Sequence, residues 1–177
     1  IKIVSNTGIV LSEIEAYGYA YTNNGGFSQY DDLESSNESY ILSYLGIIPQ
    51  GTEYQPYNVL SRGEAVYNIL KLLNVDAVSQ VQYFDDVSSE HKYFKEISTA
   101  CEMGIISQAK EFRPDDFVTQ YEFLVMTIKS LGYNGTDEVD FSNETSVIKK
   151  ANRLKLMYNT NFDGNAYVNK QNALYIM

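Results

Sequence analysis

A segment that recurs within one chain limits the fold more than any single motif, because each copy must bury its apolar face against its neighbours. Shifting the sequence by 58 positions lays Gly46-Ile47-Ile48 on Gly104-Ile105-Ile106 and Gln50 on Gln108. The same shift lays Glu53 on Glu111, Pro56 on Pro114, Glu64 on Glu122, Lys71 on Lys129 and Leu73 on Leu131. Nine of the 28 aligned pairs from Gly46 to Leu73 are identical, where average residue usage supplies about one or two by chance. Tyr54/Phe112, Leu60/Val118 and Ser61/Thr119 are conservative pairs in the same register. Upstream, Tyr30-Asp31-Asp32-Leu33 matches Phe84-Asp85-Asp86-Val87 at an offset of 54, so the first copy is four residues shorter ahead of its glycine. Four residues are about one helical turn, which leaves a buried helical face in phase. A weaker third copy follows: Phe141-Ser142-Asn143 echoes Phe84-Asp85-Asp86, Leu156-Met157 echoes Ile105-Ile106, and Val168-Asn169-Lys170 echoes Val118-Thr119-Gln120. Phe162 stands for Phe112, Lys155 replaces the glycine, and Met177 stops the third copy early in its second helix.

Each copy reads as helix, loop, helix, and the second shows it best. Phe94, Ile97 and Cys101 share one helical face, which makes Cys101 a small buried apolar residue. Gly104 supplies the left-handed residue that ends the helix. Ile105 and Ile106 then turn into the core, and Pro114 keeps the following loop from being helical. The second helix opens on Thr119-Gln120-Tyr121-Glu122, the pattern of a capping box, and Ser61-Arg62-Gly63-Glu64 predicts the same box in the first copy. Val66, Ile69, Leu70 and Leu73 form the apolar stripe of one second helix, and Leu124, Ile128 and Leu131 that of the next. In the third copy Asn169 can cap, but Asn172 stands where the box needs Glu.

Composition excludes several functions. The net charge is −10, with 13 Lys and Arg against 23 Asp and Glu, so the basic stripe of a nucleic-acid binder is lacking. No apolar run reaches the about 18 residues of a membrane span. One Cys and one His preclude an internal disulfide and a Cys/His metal centre, and no nucleophile motif accompanies His91. His91 is expected at the surface in the first turn of a helix. The pair Glu64 and Glu122 is expected to cap helices and not to catalyse. Asn159-Thr160-Asn161-Phe162-Asp163-Gly164 opens like a calcium loop, but Lys170 sits where the loop needs a bidentate Glu. No cofactor and no metal are expected. The formal glycosylation sequons at Asn37, Asn134 and Asn143 read as polar turns. Sixteen Tyr and no Trp suit a wet surface that meets carbohydrate or protein.

Taken together, Tyr83-Phe84-Asp85-Asp86-Val87, Glu102-Met103-Gly104-Ile105-Ile106, Glu111-Phe112-Arg113-Pro114-Asp115-Asp116 and Val118-Thr119-Gln120-Tyr121-Glu122 resemble the S-layer homology (SLH) family. Their first-copy counterparts are Tyr30-Asp31-Asp32-Leu33, Leu45-Gly46-Ile47-Ile48, Glu53-Tyr54-Gln55-Pro56 and Leu60-Ser61-Arg62-Gly63-Glu64. The resemblance covers roughly residues 30–177, with motifs at about 30–75, 84–133 and 140–177. It implies a mainly α fold: three helix-loop-helix motifs in a pseudo-threefold bundle with prongs. It further implies a non-catalytic module that anchors exoproteins non-covalently to secondary cell-wall polysaccharide, often pyruvylated, at the cell surface. The family's binding Arg follows the Ser/Thr cap; here that position holds Arg62, Gln120 and Lys170 in turn. A carboxylate prefers a bidentate guanidinium, so the resemblance ranks the Arg62 groove first, Lys170 second and Gln120 last. The family's sugar-stacking Trp is replaced in the second copy by Lys92, beside His91 and Tyr93. The implied glycan-binding set is Ser61, Arg62, Thr119, Gln120, Lys170, Lys92, Tyr93 and Tyr54, with Tyr40 and Tyr44 as further rings. Arg62→Ala is expected to weaken glycan retention and leave thermal stability nearly unchanged.

Residues 1–18 differ in kind. Ile1-Lys2-Ile3-Val4 and Ile9-Val10-Leu11-Ser12-Glu13-Ile14-Glu15-Ala16-Tyr17-Gly18 alternate as a strand does, and the second run resembles the last strand of discoidin-like carbohydrate-binding sandwiches. A short β segment is therefore expected ahead of a linker over residues 19–29. Ile1 is not an initiator, which reads as a trimmed or mature piece. Two further functions fit the sequence: a degenerate SLH module making protein–protein or surface-layer contacts, and the C-terminal anchor of a glycan-degrading exoenzyme.

Overall fold

The computed structural model describes residues 55–134, 139–157 and 162–176, together with Ser43, Gly46 and Ile47, leaving aside the side chains of Leu174 and Tyr175. Tyr54, Tyr40, Tyr44, the expected β segment and the linker lie outside the described residues. Five helices are present among them: α1 (Arg62–Leu72), α2 (Phe94–Glu102), α3 (Gln120–Ser130), α4 (Glu144–Leu154) and α5 (Lys170–Ile176). No strand longer than an isolated bridge occurs among the described residues. The fold is mainly helical, as the repeat predicts.

Local chemistry sets the helix ends. Thr119 is extended (φ −78°, ψ 159°) and its hydroxyl accepts from the Glu122 amide at 3.2 Å. The Glu122 carboxylate returns to the Thr119 amide at 3.0 Å, completing the box. At α1 only half of that box forms. Ser61 Oγ accepts from the Glu64 amide at 3.2 Å, but the Glu64 side chain is turned away toward the third copy. The expected first-copy box is thus corrected to a simple cap. Asn143 caps α4 through its Oδ1, and Asn169 accepts from the Asn172 amide at 2.7 Å at the start of α5.

Helix termination follows the repeat too. Gly46 and Gly104 have φ of +70° and +72°, a region that costs other residues about 1–2 kcal/mol. Lys155 stands at the same repeat position and adopts φ 60° despite its side chain. The position, not the glycine, is what persists.

The three segments that lead into α1, α3 and α5 meet in a closed ring. The Leu60 amide donates to the Val168 carbonyl (3.0 Å), Val168 to Val118 (3.0 Å) and Val118 to Leu60 (3.1 Å). Outside this triangle, Arg62, Gln120 and Lys170 donate their amides to the carbonyls of Asp116, Ala166 and Asn58 at 2.9, 2.8 and 3.0 Å. Gly63, Tyr121 and Gln171 likewise reach Pro114, Gly164 and Pro56 at 2.9, 3.3 and 3.0 Å. Each copy therefore donates to the loop of the next, at equivalent positions. Leu60, Val118 and Val168 are fully buried, as are Ile97, Ile105, Phe123, Leu124 and Ile128 in the core. Two sequence expectations are corrected. Leu131 is 48 % exposed because it sits at the α3 C-cap, past the last buried turn. Cys101 is half-buried, at the rim of the core.

Candidate functional site

The residues after the three caps all point to a neighbouring copy, and each is held differently. Arg62 is 13 % exposed and makes three contacts across the first and second copies. Its Nη1 donates to Glu122 Oε1 at 2.7 Å, its Nε donates to the Phe112 carbonyl at 2.8 Å, and its guanidinium lies 4.8 Å from the Phe112 ring centre. Glu122 serves Arg62 with one oxygen and the Thr119 cap with the other. This guanidinium is held by the framework, which argues against the expectation that Arg62→Ala would leave stability nearly unchanged. Gln120 is buried, and its Oε1 accepts from the Asp163 amide at 3.3 Å. Lys170 is held more loosely: Nζ is 3.6 Å from Glu64 Oε1, with the two side chains 30 % and 29 % exposed.

An aromatic surface adjoins Glu64. Tyr93, at the α2 N-cap, packs so closely on α1 that a Cβ on Gly63 would lie 2.7 Å from Tyr93 Cδ2 and 3.2 Å from the Pro114 carbonyl. Gly63 is thus required by a close approach, although its backbone is ordinary. The Tyr93 ring is 5.7 Å from that of Tyr67, and Lys92 Nζ lies 4.7 Å from the Tyr93 ring centre. Tyr67 donates its hydroxyl to the Gly46 carbonyl at 3.0 Å. Burial first, then the negative charge of Glu64, pushes the Tyr93 phenol up to about 12. His91 is half-buried, correcting its expected surface position. Its Nδ1 accepts from the Tyr93 amide at 3.2 Å, and its Nε2 lies 3.6 Å from Asp115 Oδ1. Lys92, Tyr93, Glu64 and Lys170 are therefore gathered around the start of α1, whereas Arg62 faces Phe112 and Glu122. Ser61 and Thr119 act as helix caps.

The start of α3 is built differently: its cation is Arg62, paired with Glu122 at 2.7 Å. A Cβ on Gly164 would lie 3.0 Å from Glu144 Oε1 and 3.5 Å from Tyr121 Cβ. Burial, then the negative charges of Glu144 and Asp140, raise the Tyr121 phenol.

Three features escaped the sequence reading. Asp86 accepts from the amides of both Phe112 (2.8 Å) and Arg113 (2.6 Å), fixing the loop before α3; the recurring Asp-Asp pair was its only signal. Phe117 and Tyr167, 54 % and 56 % exposed, sit edge-on with ring centres 5.5 Å apart. They occupy equivalent positions before the caps, which the repeat alignment could have revealed. The Glu64–Lys170 pair carried no sequence signal. Among the described residues no cluster of His, Cys, Asp and Glu could hold a metal ion, and no helix is long and apolar enough to cross a membrane.

Residues 83–124, which contain the Asp86 clamp, α2 and the complete capping box, match the S-layer homology domain. The chain carries an S-layer homology domain. Such a domain places it at the cell surface or in the cell wall, in an anchoring role. Over 99 residues the chain is 36 % identical to the endo-1,4-beta-xylanase A of Thermoanaerobacterium saccharolyticum, covering 52 % of this chain and 9 % of that protein. It is 32 % identical over 80 residues both to the exoglucanase XynX of Acetivibrio thermocellus and to the amylopullulanase of Thermoanaerobacterium thermosulfurigenes. Those matches cover 45 % of this chain and 7 % and 4 % of the relatives. The chain thus spans less than a tenth of the relatives it matches, and the S-layer homology domain is what it offers for a functional reading.

Proposed function

We propose that the chain is a non-catalytic anchoring module that holds secondary cell-wall polysaccharide, in pyruvylated form, non-covalently at the start of α1. The observation that carries this reading is the juxtaposition of an aromatic ring, Tyr93, with Lys92 and the Glu64–Lys170 pair. Sugar recognition uses a flat aromatic face, and carboxylate recognition uses a charged donor within reach of it. Arg62 contributes by holding the second copy against the first, and Ser61, Thr119 and Gln120 by fixing the helix starts. The closed hydrogen-bond ring supports a pseudo-threefold arrangement of the three motifs. The names of the relatives support a further reading, that the chain serves as the anchor of a glycan-degrading exoenzyme whose catalysis lies in other domains.

The test is sedimentation with purified, protein-free wall polysaccharide. The unaltered chain should co-sediment, and a folded Tyr93→Ala/Lys92→Ala variant should lose most of its retention. Equal retention of both would remove this groove from the reading. One observation favours a second function, contact with other surface proteins: the exposed Phe117–Tyr167 pair. Under that reading Phe117→Ala/Tyr167→Ala lowers self-association or partner capture and leaves glycan retention intact.

A further inference from the structure

We propose that Glu64 is a specificity determinant of this groove: its carboxylate occupies Lys170, so a carboxylated glycan must displace an internal carboxylate that an uncharged glycan leaves in place. The inference rests on the glycan-binding reading above and adds what sets the preference between charged and uncharged ligands.

Three observations carry it. First, Glu64 is free of the capping duty that Glu122 performs. Ser61 Oγ accepts from the Glu64 amide at 3.2 Å, but the Glu64 carboxylate turns to Lys170. Second, the pair is loose. At 3.6 Å it exceeds the length of a charged hydrogen bond, and both side chains are nearly a third exposed. The Arg62–Glu122 pair offers the contrast: 2.7 Å, with a carbonyl and a ring also holding the guanidinium. A ligand carboxylate with good geometry can replace Glu64 on Lys170; it cannot replace Glu122 on Arg62 without opening the interface between copies. Third, the Tyr93 ring packs on α1 at Gly63, the residue before Glu64, and the Glu64 charge acts on its phenol, so the carboxylate and the ring on which a sugar would stack belong to one neighbourhood. Lys170 makes no other ion pair among the described residues. Glu64 therefore stands where the charge of the ligand would stand, and it lowers affinity for an acidic ligand selectively.

The experiment uses the full chain and two forms of one probe: a wall-polysaccharide fragment carrying pyruvate ketals, and the same fragment after methyl esterification of its carboxylates. Binding is measured by calorimetry for the unaltered protein, Glu64→Gln, Lys170→Gln and the double variant. Because an exposed pair is worth up to about 1 kcal/mol, Glu64→Gln should bind the acidic probe about fivefold more tightly. The methyl ester should bind unaltered protein and Glu64→Gln equally, and the double variant should show no gain. In the unaltered protein the Lys170 ammonium resonance should shift with the acidic probe and not with its ester, a readout that needs no variant. Binding of the acidic probe to unaltered protein without a selective gain in Glu64→Gln, or with equal gains for both probes, overturns this inference and leaves the anchoring reading standing. Binding of neither probe to any folded variant overturns both.

Discussion

Replacing Arg62 by Ala removes a side chain that ties the first copy to the second through three contacts at once. The charged bond to Glu122 is partly screened, because that carboxylate is 34 % exposed, and it contributes about 1 kcal/mol. The bond to the Phe112 carbonyl, from a charged donor that is mostly buried, contributes about 1.5 kcal/mol. Stacking on the Phe112 ring adds about 0.5 kcal/mol. The expected loss is therefore about 3 kcal/mol, a fall in melting temperature of about 10 °C for a domain of this size. Urea denaturation gives the free energy directly. A double-mutant cycle with Glu122→Gln, which keeps a capping side chain at that position, should return a coupling of about 1 kcal/mol. A loss below about 0.5 kcal/mol, the range of an ordinary surface substitution, would refute the framework role and return Arg62 to the pool of groups available to a ligand.

Lys155→Gly should stabilise the protein by about 0.5–1 kcal/mol in the same assay, since the left-handed strain at φ 60° outweighs the added freedom of the unfolded chain; a loss would show that the Lys155 side chain makes compensating contacts. Thr119→Ala should cost about 1–2 kcal/mol and Ser61→Ala about 1 kcal/mol or less, because Thr119 also positions the carboxylate that holds Arg62, and equal losses would contradict that difference. The Tyr93 phenol, with a folded-state value of about 12 against 10.0, contributes stability that is complete below pH 10 and lost as pH rises toward 12. Absorbance titration at high pH should show a phenolate step missing from Tyr93→Phe, and that variant should lose less stability than the unaltered protein between pH 10 and 12.

Much of the fold was legible in the linear pattern because its determinants act over a few residues. A hydroxyl three positions before a carboxylate, a glycine after an apolar helical face and a proline in the next loop depend on neighbours within about one turn. Those signals located α1, α2 and α3 and the three caps correctly, and the 58-residue register identified which positions are equivalent. They failed where one local rule met a tertiary alternative. Glu64 fits a capping box as well as Glu122 does, yet Lys170 draws its carboxylate away. Leu131 fits the helical stripe, yet it falls one residue past the last turn that the core covers.

By itself, then, the amino-acid sequence determined that the chain is a helical repeat with capped second helices. Only the tertiary structure decided which copy each side chain serves. Arg62, Gln120 and Lys170 hold the same repeat position, but one is locked in an ion pair, one is buried on a backbone amide and one is loosely paired at the surface. The physical reason is that a side chain's free energy depends on partners brought close in space. The hydrogen-bond ring sets those partners by joining Leu60, Val118 and Val168, residues separated in the chain by whole repeats, and no local pattern encodes that closure.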